Sequence, residues 1–417
     1  MRPTTIAFLV LATTQSWGCS TDVLIEDTDV AEEDFVPDDD DVDITRSGLQ
    51  FRPCGNCGKP LADLDEARRE AFKDGVEEFE EAEEIDEGLG PVFNDVSCEA
   101  CHDTPATGGS GTTFVTRFGR GGRDGSFDPL ERLGGSLRQD HGIGELRVCG
   151  LRAEVTPRRA NVEAHRRTTP LFGLGLVEAV PDQTLLDLAS AQPRSIRGVA
   201  HMVDDVASGE RRVGRFGWKS QVATLRTFSG DAYLNEMGIT SPDFPKENCP
   251  QGNCNILARC DKVADPEDDG EAIDAFTNFM SLMAPPAPGP KSRRARQGER
   301  LFEEIGCTGC HVATLETGDS PVPQLNHVKL QPYSDFLLHD MGYLGDGITQ
   351  GQATGRLMRT APLWGVSAQP FFLHDGRAST LGRAIRAHEG QGARARARFV
   401  RMSLDDRRAV IAFLRSL

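Results

Sequence analysis

Two short stretches of the chain place a pair of cysteines two residues apart, with a histidine directly after the second. The residues concerned are Cys98, Cys101 and His102 in "SCEACH", and Cys307, Cys310 and His311 in "GCTGCH". Two thiols at this spacing can each add to a vinyl group of haem, while the histidine reaches the iron as an axial ligand. A disulfide or half of a zinc site would explain one copy. Two copies favour two covalently bound c-type haems.

The first 19 residues, "MRPTTIAFLVLATTQSWGC", contain Arg2, a short apolar run and small residues before Cys19. This pattern is typical of an export signal and is too short for a membrane span. Because c-type haem is attached outside the cytoplasm, we expect the protein in the periplasm or at the outer membrane surface. Cys19 is predicted to carry a lipid anchor, the only expected contact with a membrane, and simple secretion is the alternative.

The segment after Cys19, "STDVLIEDTDVAEEDFVPDDDDVD", carries no basic residue. It cannot bury enough apolar surface to fold, so residues 20–50 are predicted to form an acidic, disordered tether. The whole chain has a formal net charge of −18, which argues against nucleic acid as a partner.

The remaining chain is long enough for two domains. Abundant Gly and Pro and sparse sheet signals predict a mainly α fold, with two cytochrome c-like haem domains and long loops. The break "MAPPAPGPKS" at 283–292 is the predicted linker, which gives an N-terminal domain over 51–290 and a C-terminal domain over 291–417. Helices are predicted over 293–305 and, with Ser403 as the N-cap, over 404–417, and we expect these two to pack together.

An internal repeat connects the two halves of the chain. The stretches "RTTPLFGLGLVEAVPDQTLLDLA" (167–189) and "RTAPLWGVSAQPFFLHDGRASTLGRAI" (359–385) share Arg, Thr, Pro, Leu, an aromatic residue and Gly in order. Each copy follows its own CxxCH motif, as expected for a duplicated unit. When the Thr-Leu pairs near the ends of both copies are aligned, Gln192 falls opposite His388. One half therefore offers an amide where the other offers an imidazole.

Seven stretches of the chain resemble the di-haem oxidoreductase, putative peroxidase, family. They are "GLGPVFNDVSCEACH", "TPLFGLGLVEAVPD", "GRFGWKS", "EMGITSPDFP", "GCTGCHVATLETG", "PYSDFLLHDMG" and "APLWGVSAQPFFLHDGRASTLGRAI". This family is similar to the bacterial di-haem cytochrome c peroxidases and to the related enzyme that matures a tryptophan cofactor in methylamine dehydrogenase. The resemblance covers roughly residues 70–417.

The resemblance implies a reactive N-terminal haem that reduces peroxide, and a C-terminal haem that relays electrons. The expected donor is a small soluble cytochrome c or a cupredoxin, and a calcium ion between the domains is a further expectation, with no ligands identified. A non-catalytic electron-transfer cytochrome is one alternative. An oxidase that modifies a protein or organic substrate is another.

The resemblance also implies a second axial ligand for the C-terminal haem. In the peroxidases this ligand is a methionine on the helix after the "HDG" element, and the matching position here is His388. A histidine there would give a bis-imidazole iron with a lower potential than a His/Met site. Met341 and His339 are the alternative ligands.

The N-terminal haem has no comparably placed ligand, because Gln192 is a weak axial base, and peroxide binding requires such an open position. The alternative ligands in a resting state are His141, His165 and His201. Glu178, an acid in an apolar, Gly-rich stretch, is the candidate for moving a proton between the peroxide oxygens. Pairing with an arginine such as Arg167 is its structural alternative, and Gln192 is a candidate for orienting the oxidant.

Electron transfer between two haems is helped by an aromatic side chain between them. Trp218 and Trp364 are the candidates, and core packing is the alternative for each. Six further cysteines are predicted to form structural disulfides in an oxidising compartment: Cys54, Cys57, Cys149, Cys249, Cys254 and Cys260. Their pairing does not follow from the sequence, and a redox-active Cys54/Cys57 pair is an alternative.

Overall fold

The computed structural model describes residues 54–144 and 149–417. The predicted signal peptide with Cys19 and the predicted tether lie outside the described residues. Across the two described ranges, no helix has both the length and the apolar character needed to cross a membrane.

The fold is mainly helical and poor in sheet, as predicted. The α-helices of the described residues are α1 (Glu66–Glu80), α2 (Leu174–Glu178), α3 (Asp182–Ala191), α4 (Leu225–Ala232), α5 (Leu257–Cys260), α6 (Glu271–Leu282), α7 (Arg293–Glu304), α8 (Leu381–Arg386), α9 (Ala393–Val400) and α10 (Leu404–Leu414). A π-helical segment, Tyr233–Met237, continues α4. The predicted linker is the stretch between α6 and α7, and the division into two cytochrome c-like domains stays a prediction.

The strands are short and pair antiparallel. They are β1 (Val92–Phe93), β2 (Phe114–Gly121), β3 (Phe127–Asp128), β4 (Leu137–Arg138), β5 (His141–Gly142), β6 (Val162–Arg167), β7 (Met202–Asp204), β8 (Arg211–Val213), β9 (Leu315–Glu316), β10 (Lys329–Leu330), β11 (Leu338–Asp340) and β12 (Leu357–Arg359). The largest sheet has β2 paired with β3, β4 and β6. Its register sets Phe114 opposite Arg167 and Thr116 opposite His165, so this sheet fixes the end of β6.

The two predicted helices of the C-terminal half are confirmed. Ser292 caps α7, and the hydroxyl of Ser403 accepts a hydrogen bond from the Asp406 amide (3.2 Å) at the start of α10. The helices pack through Phe302 and Phe413, whose ring centroids lie 5.4 Å apart in the smaller of two hydrophobic clusters. Truncating Phe413 to Ala would leave a cavity that costs about 3–5 kcal/mol.

The helix that follows the "HDG" element is α8, and it is capped by Thr380, whose hydroxyl accepts a hydrogen bond from the Arg383 amide (3.1 Å). This helix ends at Arg386, so His388 lies just beyond it rather than on it. In the first copy of the repeat, α3 begins at Asp182, two residues before the Thr-Leu pair.

The larger hydrophobic cluster joins α1, α2, α4 and α6. Phe79 of α1 packs against Phe276 and Phe279 of α6, with ring centroids 6.3 and 4.7 Å away. The six cysteines predicted to be oxidised do pair, and the disulfides are Cys54–Cys57, Cys149–Cys260 and Cys249–Cys254. A redox role for Cys54–Cys57 stays a prediction.

Candidate haem sites

Two cavities are each lined by one CxxCH motif. The N-terminal cavity lies among α1, β2, the end of β6, α4 with its π-helical extension, and α6. The C-terminal cavity lies among α7, β12, α8 and α10. The four cysteines of the motifs take part in none of the three disulfides, so their thiols are available at the cavity walls.

In the N-terminal motif, a tight turn brings His102 over Cys98, since the His102 amide donates to the Cys98 carbonyl (3.1 Å). The His102 ring nitrogen Nδ1 lies 2.9 Å from the carbonyl of Gly109. This bond sets the tautomer and leaves Nε2 as the metal-binding nitrogen. A Cβ on Gly109 would lie 2.0 Å from the Thr104 carbonyl oxygen, so glycine is required where this loop folds back. Burial lowers the pKa of His102 to about 4, which keeps the imidazole neutral.

The C-terminal motif repeats this design. The His311 amide donates to the Cys307 carbonyl (2.9 Å), and His311 Nδ1 lies 2.8 Å from the carbonyl of Tyr333. A phenylalanine of the preceding helix lies beside each histidine, with Phe79 centred 5.9 Å from His102 and Phe302 centred 6.1 Å from His311.

His388 lies across the C-terminal cavity from His311, and the two ring centroids are 6.5 Å apart. Two imidazoles on opposite sides of one metal, each with a metal–nitrogen distance of about 2 Å, have centroids about 6.3 Å apart. His388 Nδ1 lies 2.7 Å from the Ala384 carbonyl, which leaves Nε2 for a metal. This geometry fits an iron held between the two histidines, as expected from the resemblance.

The alternative ligands, Met341 and His339, also line the C-terminal cavity. His339 uses both ring nitrogens, since Nε2 lies 2.9 Å from the Asp335 carboxylate and Nδ1 lies 3.1 Å from the side-chain carbonyl of Gln391. The ion pair with Asp335 contributes to raising the pKa of His339 to about 10. The His339 imidazole is therefore held in place by the Asp335 carboxylate.

The N-terminal cavity holds no second imidazole among the described residues that line it. His141 is exposed on β5 and stacks on Phe93, and His165 extends from the exposed side of β6. His201 is buried elsewhere, with Nδ1 2.9 Å from the Lys219 carbonyl. The structure therefore brings none of these three histidines to the N-terminal site.

Three carboxylates line the N-terminal cavity instead: Asp95, Asp231 and Glu236. Glu236 lies on the π-helical segment, a geometry that is rare and frequent at functional sites. The side-chain amide of Asn94 donates to the Glu236 carboxylate, and the Asn94 amide donates to the Glu236 carbonyl (2.6 Å). Burial raises the pKa of Glu236 above its ordinary value and does the same for Asp231.

Glu178 and Gln192 are not among the described residues that line the N-terminal cavity. The Glu178 carboxylate accepts a hydrogen bond from the Leu225 amide (2.6 Å) at the first turn of α4. Gln192 turns toward the other half, where its amide nitrogen donates to the Asp335 carboxylate (2.7 Å) and to the Gly309 carbonyl (2.8 Å). Their positions lend no support to the proton-transfer and oxidant-orienting roles predicted for them, because both side chains are bonded to the backbone or to other side chains elsewhere.

Trp218 and Arg167 line both cavities, so they form the partition between them. The indole nitrogen of Trp218 donates to the Arg167 carbonyl (2.9 Å), and the Arg167 guanidinium lies 5.6 Å from the centre of the Trp218 ring. On the C-terminal side, His374 meets Trp218 edge-on, with centroids 6.2 Å apart. Trp364 lies in the larger hydrophobic cluster and lines neither cavity.

The sequence did not single out Asp231, Glu236 or Arg117 as site residues. Arg117 extends from β2 into the wall of the N-terminal cavity, and its Nε has no hydrogen-bond partner. The available signals were the acidic residues in "SGDAYLNEMG" and the alternation in "FVTRF".

Distant likenesses to solved structures span most of the chain. Hydrazine synthase from Kuenenia stuttgartiensis has 14% identity over 89% of this chain and 97% of that chain, with a TM-score of 0.41. The diheme peroxidase BthA from Burkholderia thailandensis E264 has 14% identity over 86% and 87%, with a TM-score of 0.40. A MauG-like protein associated with microbial copper homeostasis has 16% identity over 59% and 89%, with a TM-score of 0.30. Likeness at this level is no basis for a functional assignment.

No curated protein sequence matches the chain. A sequence profile described as "Di-haem oxidoreductase, putative peroxidase" matches residues 158–417. The matched range is more than half of the chain, and it contains the second CxxCH motif, Trp218 and His388. The chain therefore belongs to the di-haem oxidoreductase family, whose description implies two haem groups.

Proposed function

We propose that this protein is a c-type di-haem peroxidase. Hydrogen peroxide would be reduced to two molecules of water in the N-terminal cavity, with two electrons and two protons consumed. The observation that carries the proposal is the contrast between the cavities. The described lining of the N-terminal cavity offers one imidazole and three carboxylates, whereas His388 lies opposite the proximal histidine in the C-terminal cavity.

The residues present fit two haems. Cys98 and Cys101 would hold one haem through thioether bonds, and Cys307 and Cys310 the other. His102 would bind the iron of the N-terminal haem, and His311 and His388 would bind the iron of the C-terminal haem. When bound, each haem would supply an iron that changes oxidation state by one electron, and the N-terminal iron would also supply a site for peroxide.

Glu236 is proposed to move the proton in place of Glu178. Cleavage of the O–O bond requires a base that takes a proton from one oxygen of peroxide and returns it to the other. Glu236 lines the cavity and is oriented by Asn94, and burial raises its pKa above the ordinary carboxyl value, which suits a group that must both take and return a proton. Asp231 is the second carboxylate within the same wall.

Trp218 lies where electrons would cross from one cavity to the other. A small soluble cytochrome c or a cupredoxin is proposed to deliver these electrons one at a time to the C-terminal site. We further propose that the protein is exported and anchored through a lipid on Cys19. The calcium ion stays a prediction.

Stopped-flow spectroscopy of the haem-loaded protein tests this proposal. The C-terminal haem is first reduced by one electron, and hydrogen peroxide is then added. Rapid oxidation of that haem together with a spectral change of the N-terminal haem is expected. Spectra that do not respond to peroxide would overturn the proposal and favour an electron carrier.

A further inference from the structure

Two arginines at the cavity walls, one buried and one half-buried, have no carboxylate partner. Arg167 is 5% exposed and lines both cavities, whereas Arg359 is half-buried and lines the C-terminal cavity alone. Within the described residues, neither guanidinium makes an ion pair, and burial lowers the pKa of each to about 10. A buried charge without a counter-charge is costly, and proteins usually avoid it.

Among the described residues, the other buried arginine and lysine side chains are paired. Arg166 and Lys219 share the Asp346 carboxylate, at 2.6 and 2.8 Å, and all three side chains are at most 4% exposed. Arg215 is bonded to the Asp182 carboxylate. These buried cations have internal counter-charges, whereas Arg167 and Arg359 at the cavity walls have none.

Arg167 and Arg359 both keep N–H donors that can bind a further group. Arg167 Nε donates to the Leu373 carbonyl (2.9 Å), and one terminal nitrogen donates to the side-chain carbonyl of Gln369. The other terminal nitrogen has only a long contact of 3.4 Å to the Thr168 carbonyl. Arg359 uses Nε for the Gly217 carbonyl (2.7 Å). Because a guanidinium has five N–H donors, each arginine can still bind a carboxylate through its terminal nitrogens.

Haem carries two propionate carboxylates, and a guanidinium binds carboxylate in a two-pronged geometry. We propose that Arg167 is a carboxylate anchor shared by the two haems, and that Arg359 anchors the C-terminal haem alone. This inference rests on the assignment of two haems in the proposed function. It adds that Arg167 couples the two sites electrostatically, because one fixed positive charge acts on both irons.

Potentiometric titration of the haem-loaded protein, followed optically and without peroxide, tests this inference. Arg167→Gln removes a positive charge that disfavours the ferric state. It should therefore shift the midpoint potentials of both haems to more negative values, while Arg359→Gln should shift only the C-terminal haem. Arg211→Gln, at an exposed position on β8, is the matched control and should shift neither.

A shift of only one haem, or of neither, in Arg167→Gln would overturn the shared anchor. Haem content is measured first, so that two haems per chain are established for each variant. If Arg167→Gln does not load both haems, Arg167→Lys is used to test the inference. Lysine keeps the positive charge but cannot bind a carboxylate through two nitrogens. Both potentials should then shift in the same direction by a smaller amount, and a shift confined to one haem contradicts the inference. Since no peroxide is present, the result does not depend on peroxidase activity.

Discussion

The two cavities share one design on the side of the CxxCH motif and differ on the opposite side. In both, the motif histidine contacts a backbone carbonyl through Nδ1 and lies beside a phenylalanine of the preceding helix. In the C-terminal cavity, the described lining contains four histidines and no carboxylate. In the N-terminal cavity, it contains one histidine and three carboxylates.

Under the proposed function, this difference gives the two cavities different roles. The side of the CxxCH motif fixes a neutral imidazole in both cavities, which any haem of this kind requires. The opposite side would supply either a second imidazole, which would bind the iron, or carboxylates, which would move protons. We therefore expect a substitution on the side opposite the motif histidine to affect one cavity and to leave the other unchanged.

Replacement of His388 should have the largest effect, because it removes one of the two proposed ligands of the C-terminal iron. In His388→Ala, we expect the low-spin ferric signal of that haem to be lost and replaced by a high-spin signal, while the N-terminal haem is unchanged. Electron paramagnetic resonance measures both signals. Met341→Leu is the control, and a spectrum that changes there but not in His388→Ala would move the ligand role to Met341.

Replacement of Glu236 should act only on the reactive side. Glu236→Gln keeps the shape of the side chain but cannot take a proton, so peroxide turnover should fall about a hundredfold or more. The spectrum of the C-terminal haem should stay as in the wild type. Glu178→Gln is the matched control and should reduce turnover only slightly, because Glu178 bonds to the α4 backbone. If steady-state assays show a larger loss of peroxide turnover in Glu178→Gln than in Glu236→Gln, Glu178 rather than Glu236 would be the proton carrier.

Replacement of Trp218 should weaken the link between the cavities. In Trp218→Phe, the hydrogen bond to the Arg167 carbonyl is lost, and the indole no longer fills the partition. Electron transfer from the C-terminal to the N-terminal haem should slow about tenfold, equivalent to about 1.4 kcal/mol in the barrier. Flash photolysis or stopped-flow spectroscopy measures this rate. Trp364→Phe serves for comparison, and an equal slowing there would refute a specific role for Trp218.

The smallest expected effect is that of pH. Burial raises the pKa of Glu236 and of Asp231, so their carboxylate forms are lost as pH falls through pKa values above the ordinary ones. As the medium is acidified from neutral pH toward the ordinary carboxyl pKa of about 4, the second-order rate constant for peroxide should therefore fall. The decline should be weaker in Glu236→Gln. A rate that rises with acidity in the wild type would argue against a carboxylate base.

Much of the C-terminal site could be predicted from the sequence, because its determinants are local. The CxxCH motif, the helix-capping residue Ser403 and the register that selects His388 are all set by spacing along the chain. The structure corrects one detail, since α8 ends before His388. Patterns of this kind involve residues that are close in the chain, so they can be recognised without knowledge of the tertiary structure.

The reactive side of the N-terminal site depends on contacts that the sequence does not reveal. Glu178 and Glu236 are both half-buried acids, and desolvation raises the pKa of both. What separates them is the partner, a helix terminus for Glu178 and Asn94, 142 residues away, for Glu236. The π-helical segment that presents Glu236 has no reliable sequence pattern. Similarly, Arg167 could be recognised as part of a repeat, but its place between two cavities follows from the pairing of β6 with β2.

Electron paramagnetic resonance of the oxidised, fully haem-loaded protein tests the central claim most directly. The claim is that the C-terminal iron is closed by two imidazoles and the N-terminal iron is open. Equal amounts of one low-spin and one high-spin ferric haem are the predicted result. Two low-spin haems would contradict the claim, since the N-terminal iron would then have a strong sixth ligand and no place for peroxide.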